Sequence, residues 1–249
     1  MNQFNNQFNQ NSVGASAPTD AGLRNFMVGT YRYMMMAMGV TAAVAYFFGQ
    51  YLLVNPSVAA LVFSPFVLLG FVIAIPVLFG AIGNKLPTMS MGGMLTFLFG
   101  FAAFMGVFLS AITVTVSATI IAKIFFMTVA LFGALSMFGY TTKTDLTVYL
   151  KYAMIGFLVY VGYMVLSMFI PAIQPTGILQ TVVSGAALLF ISVIAAGKTQ
   201  MLKRVYYSVA GDAAMVSKMS AYGAAMLLLT FINMFQILLS LLVANSHQI

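Results

Sequence analysis

The sequence contains no cysteine, no tryptophan and no glutamate; its acids are Asp20, Asp145 and Asp212, and its one histidine is His247. Without thiols there is no disulfide and no thiolate nucleophile, and no Cys/His cluster can be assembled to hold a metal. Charged residues make up only 5% of 249 positions, against about a quarter in a soluble domain. That scarcity excludes an ordinary water-exposed surface.

What fills the chain instead is apolar: 62% of residues are hydrophobic and the mean hydropathy is +1.05. Crossing the hydrocarbon core of a bilayer takes about 20 mostly apolar residues in a helix, and seven stretches qualify. They are predicted at roughly 31–53, 58–82, 92–112, 116–139, 149–170, 177–200 and 219–243, separated by turn chemistry such as Asn55-Pro56, Gly83-Asn84 with Pro87, and Pro171 to Gly177. The runs do not alternate polar and apolar residues, which argues against an outer-membrane barrel. The fold class expected is an all-α, seven-helix integral membrane bundle over residues 23–249, preceded by a tail. That tail, residues 1–22, is Asn/Gln-rich and too polar to pack, so it reads as disordered. It lacks the basic start and apolar run of a secretory signal, so the first hydrophobic segment reads as a retained anchor.

The formal net charge of +7 has a topological explanation that needs no nucleic acid. Arg24, Arg32, Lys85, Lys143, Lys151, Lys198, Lys203, Arg204 and Lys218 fall on alternate connections, while the others are bare. The positive-inside rule then puts the N-terminus in the cytoplasm and the C-terminus outside. Lys123 departs from the pattern, either snorkelling to the outer surface or marking a pathway. Binding of anionic lipid heads is a secondary use of the basic residues. Tyr31, Tyr33, Tyr140, Tyr149, Tyr152, Tyr206 and Tyr207 cluster near the cytoplasmic ends and read as an interfacial belt. The 20 Met residues are scattered without His or Cys and read as packing rather than a copper site.

Intramembrane catalysis finds no support in this inventory. A membrane serine protease needs a histidine beside its nucleophile, and His247 follows the last span. An aspartyl protease needs two acids at membrane depth, whereas all three Asp fall in tail or loops. A retinal protein needs a mid-helix Lys with an acidic counter-ion, and a zincin needs His-Glu-x-x-His. No enzyme and no cofactor are expected.

Four segments, in order, resemble the Bax inhibitor 1 family, including its YccA-like bacterial branch. They are Gly22–Met34 (GLRNFMVGTYRYM), Phe132–Leu146 (FGALSMFGYTTKTDL), Gly211-Asp212-Ala213 and Phe231-Ile232-Asn233. The resemblance implies a seven-helix bundle with the last helix surrounded by the others, and a family association with pH-dependent calcium leak and membrane stress. It also implies a pair of facing Asp residues, on the sixth and seventh spans, as the pH-sensing element. Two close carboxylates in low dielectric resist ionising together and attract a divalent cation.

The chain departs from that pattern at both positions. Lys198 stands in Gly197-Lys198-Thr199-Gln200 and Thr230 in Leu229-Thr230-Phe231-Ile232-Asn233, where the family keeps its acids. Two readings stand for Lys198: an interfacial lysine snorkelling to the cytoplasmic surface, or an ammonium that replaces a charge contact and holds the bundle shut. For Thr230 they are a hydrogen bond to the Met226 carbonyl or a polar path shared with Asn233 and Gln236. Asn233 is expected to make an interhelical contact. Thr199 and Gln200 keep the family's identity, and Asp145 is expected to pair with Lys143 or nearby backbone. Among partners, the bilayer follows from composition, and calcium ions or protons from the resemblance. A membrane-bound AAA protease such as FtsH, engaged through residues 1–22, is the alternative, as a non-conducting regulator.

Overall fold

The computed structural model describes residues 19–246. Eight α-helices follow in order: α1 (Asp20–Val54), α2 (Pro56–Val62), α3 (Pro65–Lys85), α4 (Met91–Thr115), α5 (Ala118–Thr141), α6 (Thr147–Phe169), α7 (Gly177–Val209) and α8 (Ala213–Ser246), with a short 3-10 turn at Pro171–Ile173. Seven are long and apolar enough to cross a membrane, as the sequence leads one to expect.

One expected span is broken in two. The stretch 58–82 divides at Phe63 and Ser64, because Pro65 drives the residue before it out of helical backbone; Ser64 is extended, at φ −64° and ψ 144°. The crossing is made by the 21 residues of α3 alone, about 31 Å at 1.5 Å per residue.

Three helices overrun their expected ends in the other direction. α1 begins at Asp20 rather than 31, α7 runs to Val209 rather than 200, and α8 starts at Ala213 rather than 219. The added turns are too polar to register as membrane spans, yet they carry helix signals. Thr19 caps α1 by accepting from the Gly22 amide at 3.0 Å, and Asp212 caps α8 by accepting from Met215 N at 3.0 Å. The extensions of α1 and α7 pack together at the basic end, where the Phe26 and Tyr206 rings lie 5.6 Å apart, and the Thr30 hydroxyl of α1 is 3.1 Å from that of Ser220, just inside the expected start of the last span. Residues 1–18, most of the stretch read as a tail, lie outside the described residues, and Asp20–Gly22 belong to the first turn of α1.

α8 sits in the middle, packed by α1, α4, α5 and α7, and Ala224, Ala225, Leu227, Leu228 and Met234 are fully buried. The expectation of a surrounded last helix is met. Helix pairs approach most closely at small residues, as packing without a hydrophobic drive requires. A β-carbon on Gly106 would lie 2.7 Å from the Thr41 carbonyl oxygen and from Val44 Cβ, and Thr41 donates across the same α1–α4 seam to the Ala102 carbonyl at 2.9 Å. Gly139 of α5 faces the backbone of Ala196 in α7 with no room for a side chain.

Candidate functional site

The two positions where the sequence departs from the family pattern meet in space. Lys198 Nζ, from α7, donates to Thr230 Oγ1 of α8 at 3.2 Å, and Thr230 donates in turn to the Met226 carbonyl at 2.9 Å. Thr230 is fully buried. The snorkelling reading of Lys198 is thereby corrected: its stem turns inward to α8, because Thr230 offers an oxygen acceptor inside the bundle and a half-buried ammonium needs one. The expected Thr230–Met226 bond is present.

Asn233 and Gln236 do not join this contact. Both are half-buried, and neither side chain makes a hydrogen bond among the described residues, so the interhelical hydrogen bond expected of Asn233 is not found among them. Three and six residues beyond Thr230, they also point about 60° and 120° away from it around the helix. Thr199, fully buried, donates to the Ala195 carbonyl at 3.0 Å. In the buried parts of the structure, Ser136 Oγ of α5 is the side-chain polar atom left without a partner among the described residues.

Gln200 organises the next layer toward the basic end. Only 7% exposed, it accepts from Leu146 N at 2.8 Å and donates to the Thr144 carbonyl at 2.7 Å. Its amide thus splices the α5–α6 connection onto α7, in the place a backbone partner would take. Arg204, one turn on, donates to Gln200 Oε1 at 2.9 Å, to Thr147 Oγ1 at 2.6 Å and to Asp145 Oδ1 at 2.5 Å. Asp145 therefore pairs with Arg204 and not with Lys143, while the nearby-backbone bond expected of it is present, from the Thr147 amide at 2.8 Å; α7 brings a planar guanidinium over the loop, and its fork reaches both a carboxylate and a hydroxyl. That hydrogen bond from Arg204, followed by those from Thr147, holds the Asp145 carboxyl well below the usual carboxylate range.

Two more cations are placed by carbonyls. Lys203 donates to the Tyr140 carbonyl at 3.2 Å and lies 5.3 Å from the centre of the Tyr140 ring. Lys218, 9% exposed, donates to the Pro87 carbonyl at 3.0 Å and ties α8 to the α3–α4 connection; sequence reading counts it only as an orientation charge. Lys123 is exposed near the start of α5. Among the proposed belt tyrosines, Tyr149, Tyr152 and Tyr207 are exposed, but Tyr206 is buried against Phe26 and belongs to the core. No group of three metal-ligating acids, histidines or cysteines occurs among the described residues.

The arrangement is a lysine–threonine tie between α7 and α8, backed by a glutamine-held loop and an Arg–Asp pair at the basic end. The protein-family comparison matches residues 23–247 to the family described as inhibitor of apoptosis-promoting Bax1. An uncharacterized protein of Caulobacter vibrioides is 30% identical, across 98% of this chain and 99% of that protein. The inner membrane protein YbhL of Escherichia coli is 31% identical, across 88% of this chain and 91% of its own length. A protein of Rickettsia prowazekii is 28% identical over 90% of this chain. With a surrounded last helix, four motifs in order and a match spanning nearly the whole bundle, the chain belongs to the Bax inhibitor 1 family.

Proposed function

We propose that this protein is a non-enzymatic, inner-membrane member of its family that modulates ion leak and membrane stress without the acid-pair calcium gate. The observation that carries this reading is the Lys198–Thr230 contact, 3.2 Å long, at the two positions where the family pattern places its acids. A carboxylate pair there would draw a divalent cation in; an ammonium does the opposite. Four ångströms from a lysine charge, a divalent cation is repelled by about 8 kcal/mol at an effective dielectric of 20. The same contact ties α7 to α8, the helix at the centre of the bundle, and so favours a shut state. Inner-membrane residence is supported by the likeness to the inner membrane protein YbhL of Escherichia coli, and a cytoplasmic N-terminus by the charge bias of the connections. The non-enzymatic reading rests on the inventory of residues, with no acid pair, thiol or histidine at membrane depth to activate a nucleophile.

The test is calcium entry into liposomes holding the full chain and an internal calcium dye, scanned from pH 5.5 to 8.5. The wild type should give a low flux that is flat with pH. Lys198→Met, which removes the charge and nearly keeps the volume, should raise the flux with no new pH dependence. Lys198→Asp combined with Thr230→Asp should create a pH-dependent flux. A steep titration of wild-type flux near neutrality would refute the reading, and so would a Lys198→Met flux equal to wild type in protein shown to be folded.

A further inference from the structure

The basic end of the α5–α7 groove holds a depression of about 440 Å³ that the Lys198–Thr230 tie does not use. It is lined by Thr142 and Lys143 of the α5–α6 connection and by Lys203, Arg204 and Tyr207 of α7, among others. Its charges are unbalanced. Arg204 is paired with Asp145, whereas Lys143 and Lys203 meet no carboxylate among the described residues. Lys203 gives one proton to the Tyr140 carbonyl, which leaves two of its three donors for the depression. Asp145, Gln200 and Thr147 take three of the five Arg204 N–H donors. Three cations against one adjoining carboxylate leave an excess of two positive charges beside several free donors.

A second depression, of about 430 Å³, continues toward the membrane and is apolar. It is lined by Leu135 and Phe138 of α5, Leu146 and Tyr149 at the start of α6, and Leu189 and Val193 of α7, among others. The two depressions share helix faces. On α7, residues 189, 193, 196, 200, 203 and 207 recur at steps of three or four, and residues 135 and 138 of α5 with Thr142, the cap at its end, do the same. The Gln200-held segment Thr144–Leu146 forms the rim between them. A basic cradle at the bundle end with an apolar slot beneath it is complementary to an amphiphile with a phosphate head, and basic pockets between membrane helices take such heads.

We propose that this groove is a binding site for an anionic phospholipid, its phosphate held by Lys143, Lys203 and Arg204 and an acyl chain laid against Phe138, Leu189 and Val193. The site lies outside the Lys198–Thr230 contact and is independent of whether the bundle conducts.

The test is native mass spectrometry of the full chain in detergent, titrated with phosphatidylglycerol or with phosphatidylcholine of the same acyl length. Wild type should retain phosphatidylglycerol in preference to phosphatidylcholine. Lys143→Gln, on an exposed loop, should weaken retention about fivefold, and Lys143→Gln with Lys203→Gln about thirtyfold. Lys151→Gln, a basic residue outside the depression, should leave it unchanged. Equal retention of the two lipids, or unchanged retention in the single loop variant, would overturn the proposal. Millimolar inorganic phosphate serves as a competitor. If it displaced the lipid completely, a free anion would be the occupant and the lipid assignment would fall.

Discussion

Replacing Gln200 by alanine should loosen the α5–α6 connection from α7 by an amount that can be worked from its three hydrogen bonds. The Leu146 amide it serves belongs to a residue only 8% exposed, and an orphaned buried donor costs about 1–3 kcal/mol. The Thr144 carbonyl and the Arg204 guanidinium are on exposed residues and can turn to water, so each lost bond there costs about 0.5 kcal/mol. The sum is roughly 3 kcal/mol. For a chain of this size each kcal/mol moves the midpoint by about 2–4 °C, so thermal unfolding in detergent should fall by about 6–12 °C. Limited proteolysis should show cleavage near residues 143–147 at temperatures where wild type is intact. Gln200→Glu separates the roles of the amide: it keeps both accepted bonds but cannot donate to Thr144, and should lose less than the alanine variant. A Gln200→Ala midpoint within 2 °C of wild type, with the loop still protected, would refute the view that this side chain splices the connection to the bundle.

Gly139→Val should destabilise by about 1–3 kcal/mol through overpacking against the Ala196 backbone, whereas Gly133→Val, where nothing lies within 4 Å of the added carbon, should be near neutral by the same melt. The Asp145 carboxyl is held low in the folded state, so its contribution is present in full at neutral pH and is lost as pH falls below its unfolded value of about 3.9. The thermal midpoint of Asp145→Asn should therefore approach that of wild type on acidification below pH 4, and also at high salt, because the pair is solvent-exposed. A gap that widened in acid would contradict the pairing. Reporter fusions check the orientation: a C-terminal alkaline phosphatase should be active and a C-terminal green fluorescent protein dark, and the reverse result would invert the topology.

The spans themselves are legible in sequence because a bilayer demands continuous apolar length, and only the 58–82 segment misleads, through the backbone rule that Pro65 imposes on Ser64. The family positions Lys198 and Thr230 are legible too, by motif. That they touch is not, since hydropathy and charge counting assign Lys198 to the surface; only the position of Thr230 across the α7–α8 seam turns it inward. Asp145 finds Arg204 rather than its neighbour Lys143 for the same reason, a partner 59 residues away brought in by α7. Tyr206 and Lys218 look interfacial by composition, but the extended ends of α1, α7 and α8 cover them. Such helical overhangs fall below any membrane-span threshold, and so the layer that holds Gln200 and Arg204 in place is invisible until the helices are assembled.

The break at Ser64 leaves mobility unevenly divided across the bundle. α3 contains no buried residue and leans on its neighbours chiefly through rings, Phe71 against Phe104 and Phe79 against Phe97, Phe101 and Tyr222. The Tyr222 hydroxyl adds a hydrogen bond to the Phe79 carbonyl at 3.1 Å, fixing the second half, while Pro76 removes a backbone bond midway along. The first half of α3 is held by rings, Phe71 on Phe104 and Phe66 on Phe169, and buries no residue fully, so shifting it costs less buried surface than moving α8 would. α5, α7 and α8 have no such freedom, since Gly139, Gln200 and Lys198 stitch them to one another. The molecule is a stitched three-helix frame with a more loosely held helix, α3, resting on α4, α6 and α8, and the breaks at Ser64 and Pro76 are where motion in the membrane should concentrate.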